Sequence, residues 1–187
     1  YIIFNTSKTF NEVDNLNKKL ELNFPFIVEN GACIFFPKNW LKFFVNTNEL
    51  FEHKDHYGYR ISKYNVFDIR SKLINFKKYY NFSFYSEISD EKLKKITNLR
   101  GHEIKRSKDR MFTDPILWED THKKIVQFRE QLSSSDNSFN IFEGGRFLHI
   151  SDHYDKALAM KKFISITSKF FEKKYLIVSL GDSQNDI

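Results

Sequence analysis

Cysteine is almost absent from this chain: Cys33 stands alone among 187 residues. That excludes an internal disulfide and a cysteine-based zinc centre, and it favours a reducing compartment. Long apolar runs are missing too. Stretches such as Cys33-Ile34-Phe35-Phe36 are strand-sized, far below the roughly 20 residues of a membrane span, so no membrane partner is expected. The opening Tyr1-Ile2-Ile3-Phe4-Asn5 has neither the basic flank nor the apolar length of a secretory signal, and the expected location is cytoplasmic. No dense block of one charge occurs. The formal +6 is spread as lysine among glutamate and aspartate, which argues against nucleic acid as a partner and leaves local positive potential for a small phosphorylated, carboxylated substrate. No internal repeat and no proline-rich linker divide the chain. What remains, 41% hydrophobic and 29% charged residues, lies in the ordinary globular range, with length for one large domain or two small ones.

The periodicity alternates between strand and helix. Tyr1–Phe4 is a short apolar run ending at Asn5-Thr6-Ser7-Lys8, after which Thr9 and Glu12 stand in capping-box relation ahead of Val13, Leu16 and Leu20. Ligands of open α/β sheets bind in loops leaving the carboxyl ends of strands, which gives the Thr6-Ser7-Lys8 loop positional weight. Phe26-Ile27-Val28 and Ala32–Phe36 flank Glu29-Asn30-Gly31, a hairpin signal; Asn140–Glu143 and Arg146–Ile150 flank Gly144-Gly145, a second one. Between them the pattern predicts strands at Tyr57–Ile61, Phe82–Phe84 and Pro115–Trp118. It predicts helices over Val66–Tyr79, from Ser89-Asp90-Glu91 onward, over Gly101–Lys108 and over Thr121–Leu132. Residues 39–54 read as loop and Ser133–Ser138 as a polar loop. A long helix over Asp155–Lys174 then leads into Tyr175–Leu180, a continuous apolar run suited to a buried parallel strand. The implied fold class is α/β, a Rossmann-like parallel-sheet core, incomplete in this chain, with an inserted α+β cap. We place the core in 1–25 and 151–187 and the cap in about 26–150.

Three clusters carry chemistry. Gly181-Asp182-Ser183-Gln184-Asn185-Asp186 gathers two carboxylates and an amide after the last apolar run, a donor set of hard oxygens suited to Mg2+, although such residues also make an ordinary surface turn. Lys156, beside Asp155 at a helix start, is able to neutralise a phosphate as cations do in phosphoryl transfer. Thr6 offers a hydroxyl to a phosphoryl oxygen. Arg146, after two glycines that permit a tight turn, has the planar fork that clamps a carboxylate or phosphate. Arg110, His149, Asn30, Ser7 and Lys8 are further substrate-side candidates.

The order of these clusters resembles motifs two, three and four of the haloacid-dehalogenase-like phosphatases. Thr6-Ser7-Lys8-Thr9, Pro25–Ala32, Asp114–Trp118, Gly144–His149 and Asp155-Lys156 are similar, within that superfamily, to the mannosyl-3-phosphoglycerate phosphatases. The resemblance implies a Mg2+-dependent phosphomonoesterase acting on a glycosylated phosphoglycerate. Thr6 and Lys156 would hold the phosphoryl group, and Asp182, with Asn185 and Asp186 near it, would hold the metal. It also implies an Asp-x-Asp nucleophile motif, which these 187 residues do not contain, so this stretch alone is expected to turn nothing over. Ala157 stands where the family often has glycine. A phosphatase for another sugar phosphate, such as glucosyl-3-phosphoglycerate, and a noncatalytic sugar-phosphate-binding relative are the alternatives.

Overall fold

A computed structural model describes residues 1–44, 47–135, 139–168 and 176–181. The chain divides into two compact units, 1–61 with 154–187 and 62–153. The first unit opens with β1 (Phe4–Asn5), α1 (Phe10–Lys19), β2 (Phe26–Val28), β3 (Cys33–Pro37), β4 (Leu50–His53) and β5 (His56–Arg60). The second holds α2 (Val66–Leu73), β6 (Phe82–Phe84), α3 (Asp90–Thr97), α4 (His102–Lys108), β7 (Ile116–Trp118), α5 (His122–Ser135), β8 (Asn140–Gly144) and β9 (Phe147–Ser151). The chain then returns to the first unit as α6 (Lys156–Ser168).

In the first unit the strands run in the order β1-β2-β3-β5-β4, with β1 parallel to β2 and the other pairs antiparallel. The unbroken apolar character of β2 and β3 follows from covering on both faces. Phe26 and Phe35 meet Phe10 of α1, with ring centroids 5.5 and 4.6 Å away. Their neighbours Ile27, Ile34 and Phe36 turn the other way and pack with Ala159 and Phe163 of α6. Cys33 is fully buried in β3, and burial, helped by Glu29 and opposed by Arg60, pushes its thiol well above the usual range.

The second unit is an antiparallel sheet, β6-β7-β9-β8. Phe82, Phe84, Ile116, Leu148 and Ile150 bury one face with Ile69 and Leu73 of α2 and Phe128 and Leu132 of α5. Leu117 and Phe147 point to the opposite face, toward Leu93 of α3 and Ile104 of α4. Asp114 is 1% exposed ahead of β7; it accepts from Arg70 Nε at 2.6 Å, Ser86 Oγ at 2.8 Å and the Ser86 N–H at 3.2 Å. A buried carboxylate needs that set of donors.

Several expectations are corrected. The boundary of the inserted unit falls at 61/62 and 153/154, so residues 26–61, assigned above to the cap, pack in the first unit, because β3 and β5 pair along their length. Residues 39–54 contain a 3-10 segment, Lys38–Phe43, and β4, where loop was expected. The helix over Val66–Tyr79 ends at Leu73 and tightens to a 3-10 turn over Ile74–Lys78, and α5 continues through Ser135 into the expected loop. Leu176–Gly181 carries no regular structure, and Leu176 and Leu180 are 91% and 94% exposed. The expected buried strand is therefore not formed there. An all-apolar strand needs two covered faces and a paired ladder, and among the described residues no strand pairs with it.

Candidate functional site

The loop after β1, the turn after β2 and the start of α6 meet within the first unit. Thr6 N–H donates to the Ile27 carbonyl at 3.1 Å, extending the β1–β2 pairing by one step. Asn30 N–H then donates to the Thr6 carbonyl at 2.9 Å and Glu29 N–H to the Lys8 carbonyl at 3.0 Å. The turn Glu29-Asn30-Gly31 has positive φ at all three residues, 50, 62 and 103°. That conformation is costly for Glu29 and Asn30 and persists only where the surroundings enforce it. A Cβ on Gly31 would lie 2.3 Å from the Asp155 carbonyl oxygen and 3.2 Å from the Ala159 methyl carbon. Glycine is therefore required for the turn to rest against the first turn of α6. From the other side, Asn5 Nδ2 donates to the Lys156 carbonyl at 2.9 Å.

This arrangement brings together Thr6, Ser7, Lys8, Asn30 and Lys156. The Thr6 hydroxyl accepts from Lys8 N–H at 3.3 Å, which leaves its own hydrogen to donate. Lys8 Nζ pairs with Glu12 Oε1 at 3.3 Å on an exposed face. The other Glu12 oxygen accepts from Thr9 N–H at 2.9 Å, and Thr9 Oγ1 accepts from Glu12 N–H, closing the capping box read from the sequence. Lys156 is half-buried as the first residue of α6. Asp155 caps that helix, its Oδ1 accepting from Leu158 N–H at 2.6 Å. Sequence reasoning missed three supporting groups: Asn5, Gly31 as the contact to α6, and Asp155 as cap. Only the last had a local signal, an aspartate three residues ahead of Leu158 at a helix start. Asn5 Oδ1 is buried with no hydrogen-bond partner, a polar atom facing the same junction.

The remaining substrate-side candidates lie in the second unit. Gly145 turns the β8–β9 hairpin with φ +62°, whereas Gly144 is needed because a Cβ there would lie 2.7 Å from the His149 ring. His149 is 8% exposed and stacks on Phe142 at 5.2 Å. Arg146 is exposed, and its Nη1 donates to the Ile96 carbonyl in α3. Arg110 folds onto Thr113, with Nε 3.0 Å and Nη2 2.9 Å from Oγ1. Asp182, Asn185 and Asp186 lie outside the described residues, and among the described residues no group of three or more His, Cys, Asp or Glu is placed to hold a metal.

A family model described as haloacid dehalogenase-like hydrolase matches residues 1–187. A glucosyl-3-phosphoglycerate/mannosyl-3-phosphoglycerate phosphatase of Persephonella marina is 34% identical over 193 residues, covering 100% of this chain and 67% of the relative. A mannosyl-3-phosphoglycerate phosphatase of Pyrococcus furiosus is 30% identical over 195 residues, covering 99% and 72%. Two solved structures share the fold at 16% identity. A Thermoplasma acidophilum protein has a TM-score of 0.53 over 87% of this chain, and a Thermotoga maritima protein one of 0.56 over 88%. The chain spans 54% and 62% of those two structures.

Proposed function

The chain belongs to the haloacid dehalogenase-like hydrolase family, and from that premise we propose that the whole protein is a phosphatase releasing phosphate from a glycosyl-3-phosphoglycerate, with the mannosyl substrate favoured. The observation that carries this reading is the meeting of the Thr6 loop, the Asn30 turn and the start of α6, each held by backbone contacts that fix it before substrate arrives. The substrate class is supported by the names of the Persephonella and Pyrococcus relatives.

In the proposed reaction a carboxylate attacks phosphorus as the bond to the glycerate oxygen breaks, and water then hydrolyses the aspartyl-phosphate. The attacking aspartate is the one implied by the family; the chain's own residues serve the phosphoryl group. Thr6 Oγ1 donates a hydrogen bond to a phosphoryl oxygen, and the Lys156 ammonium neutralises charge that grows as the bond breaks. Asp155 and Asn5 orient Lys156 by holding the first turn of its helix. Ser7, Lys8 and Asn30 line the same loops, and Arg110, Arg146 and His149 are the proposed readers of the sugar-glycerate portion. The all-oxygen donor set of Asp182, Asn185 and Asp186 fits Mg2+, which when bound supplies charge screening for the phosphoryl group. The lone buried cysteine supports a reducing, cytoplasmic location; among the described residues no helix is long and apolar enough to cross a membrane.

The test is phosphate release by the full-length protein from mannosyl- and glucosyl-3-phosphoglycerate. Lys156→Ala should lower kcat about 10²–10³-fold, and Thr6→Ala should lower it less. Absence of phosphate from both substrates overturns the substrate class. Comparable turnover of both favours the second reading, dual specificity, which matches the name of the Persephonella relative.

A further inference from the structure

In the second unit, α3 and the chain leading on to α4 border a concavity of about 400 Å³. Lys94, Lys95, Asn98 and Arg100 line it, with Glu91 one turn back along the helix. Three cations against one carboxylate leave an excess of positive charge there. Elsewhere in the unit lysines meet carboxylates: Lys77 with Glu87, Lys92 with Glu119, Lys108 with Asp90 and Lys124 with Asp120, at 2.5, 2.5, 2.6 and 2.8 Å. Among the described residues, Lys94, Lys95 and Arg100 enter no ion pair, and Glu91 closes none with Lys95 four positions on.

The end of the helix does not call for these cations either. Lysines in a last turn commonly answer the carbonyls exposed there. In α3 the Lys94 carbonyl accepts from Asn98 N–H at 2.9 Å, and the Ile96 carbonyl accepts from Arg146 Nη1. Asn98 ends the helix in the left-handed conformation, φ 62° and ψ 7°, and two residues later Arg100 lines the same hollow as the last-turn lysines. Like charges gathered round one hollow repel each other, and a multivalent anion relieves that repulsion. A guanidinium fork, two ammonium groups and the Asn98 amide are donors suited to phosphate or carboxylate oxygens.

We infer that this hollow binds a small, multiply charged oxyanion, either inorganic phosphate or a phosphorylated carboxylic acid. Lys94, Lys95 and Arg100 supply the attraction, and Glu91 opposes it. The inference concerns the second unit alone and does not rest on the proposed reaction.

The test is a residue-resolved amide-shift titration of the full-length protein, with inorganic phosphate and 3-phosphoglycerate as separate probes. The Asn98 and Gly101 amides should shift saturably with a millimolar Kd, which should rise between about 20 and about 200 mM salt. Lys95→Ala and Arg100→Ala should each weaken binding about 5–10-fold, and Glu91→Gln should tighten it by a similar factor. Lys123→Ala, which removes an exposed charge on α5, should leave the Kd unchanged. Tighter binding of 3-phosphoglycerate supports the phosphorylated acid as ligand, and equal affinities support the phosphate group alone. Absence of saturable shifts at Asn98 and Gly101 with both probes overturns the inference. So does a loss in Lys123→Ala as large as that in Arg100→Ala, since diffuse positive charge would then account for the binding.

Discussion

Replacing Gly31 by alanine should be far more damaging than the same change at Gly145, although both have positive φ, 103 and 62°. The left-handed conformation costs an L-residue about 1–2 kcal/mol at either site. At Gly145 nothing lies within 4 Å of the added methyl, so that cost is the whole effect. At Gly31 the methyl would sit 2.3 Å from the Asp155 carbonyl oxygen and 2.7 Å from its carbon. Backbone cannot rotate away as a flexible side chain does, so α6 or the turn must shift, adding about 1–3 kcal/mol by analogy with overpacked cores. The expected totals are about 2–5 kcal/mol for Gly31→Ala and about 1–2 kcal/mol for Gly145→Ala. The two tryptophans separate the units, since Trp40 packs in the first core and Trp118 against the second. Urea unfolding followed by Trp40 emission in a Trp118→Phe background should show the Gly31→Ala midpoint falling by roughly 1–2.5 M for a slope near 2 kcal/mol/M. Gly145→Ala, followed through Trp118 in a Trp40→Phe background, should move its midpoint by about half as much or less. Equal losses at the two sites would refute the apposition of the turn and helix.

Asp114→Ala should destabilise the second unit by about 3–5 kcal/mol, because Arg70 and Ser86 lose a buried partner; Trp118 emission during urea unfolding measures it. Asp155→Ala should cost about 1 kcal/mol through loss of the α6 cap, visible in Trp40-detected unfolding. Stability of the first unit should also depend on acid through His56, whose Nδ1 is buried without a hydrogen-bond partner and whose ring packs against those of Phe10 and Phe26. Burial lowers its pKa below 6.5; Asp14 and Asp55 act to raise it, and Lys18 and His53 to lower it further. The unfolded chain therefore binds the proton first. Stability is full above the unfolded value and falls as pH drops below about 6.5, levelling off under the folded value. Urea midpoints from pH 8 to pH 5 should show a decline that His56→Phe reduces, and an unaltered pH profile in that variant would dismiss the assignment.

Features set by near neighbours in the chain were legible from sequence. The Thr9–Glu12 capping box and the two hairpins around Asn30-Gly31 and Gly144-Gly145 depend on residues within a few positions of one another. So did the ordering of Thr6 and Lys156 at a strand exit and a helix start. Distant pairings were not legible. The strand Leu50–His53 forms against β5, where Gly58 leaves room for the Phe51 ring, a fit invisible from either segment alone. The extent of the inserted unit depended on β3 pairing with β5, from Cys33 with Arg60 to Pro37 with His56, far apart in the chain. Composition misled at Leu176–Leu180, because an apolar run reports a liking for burial without naming what covers it. At the candidate site, Thr6 and Lys156 were readable as residue types. Asn5 and Gly31, which bear on the helix carrying Lys156, owe their roles to contacts made from more than a hundred residues away.

The solitary thiol in β3 makes the protein its own clock for opening. With Cys33 enclosed, its thiol pushed well up, and β2 and β5 on either side, a maleimide has no thiolate to attack while the strands stay together. One cysteine among these 187 residues means at most one label on this stretch, so its mass shift counts copies that have opened rather than sites that have reacted. Labelling at rising maleimide concentration passes from a regime set by how often the sheet parts to one set by how fast it parts. No reporter group need be introduced to read either quantity.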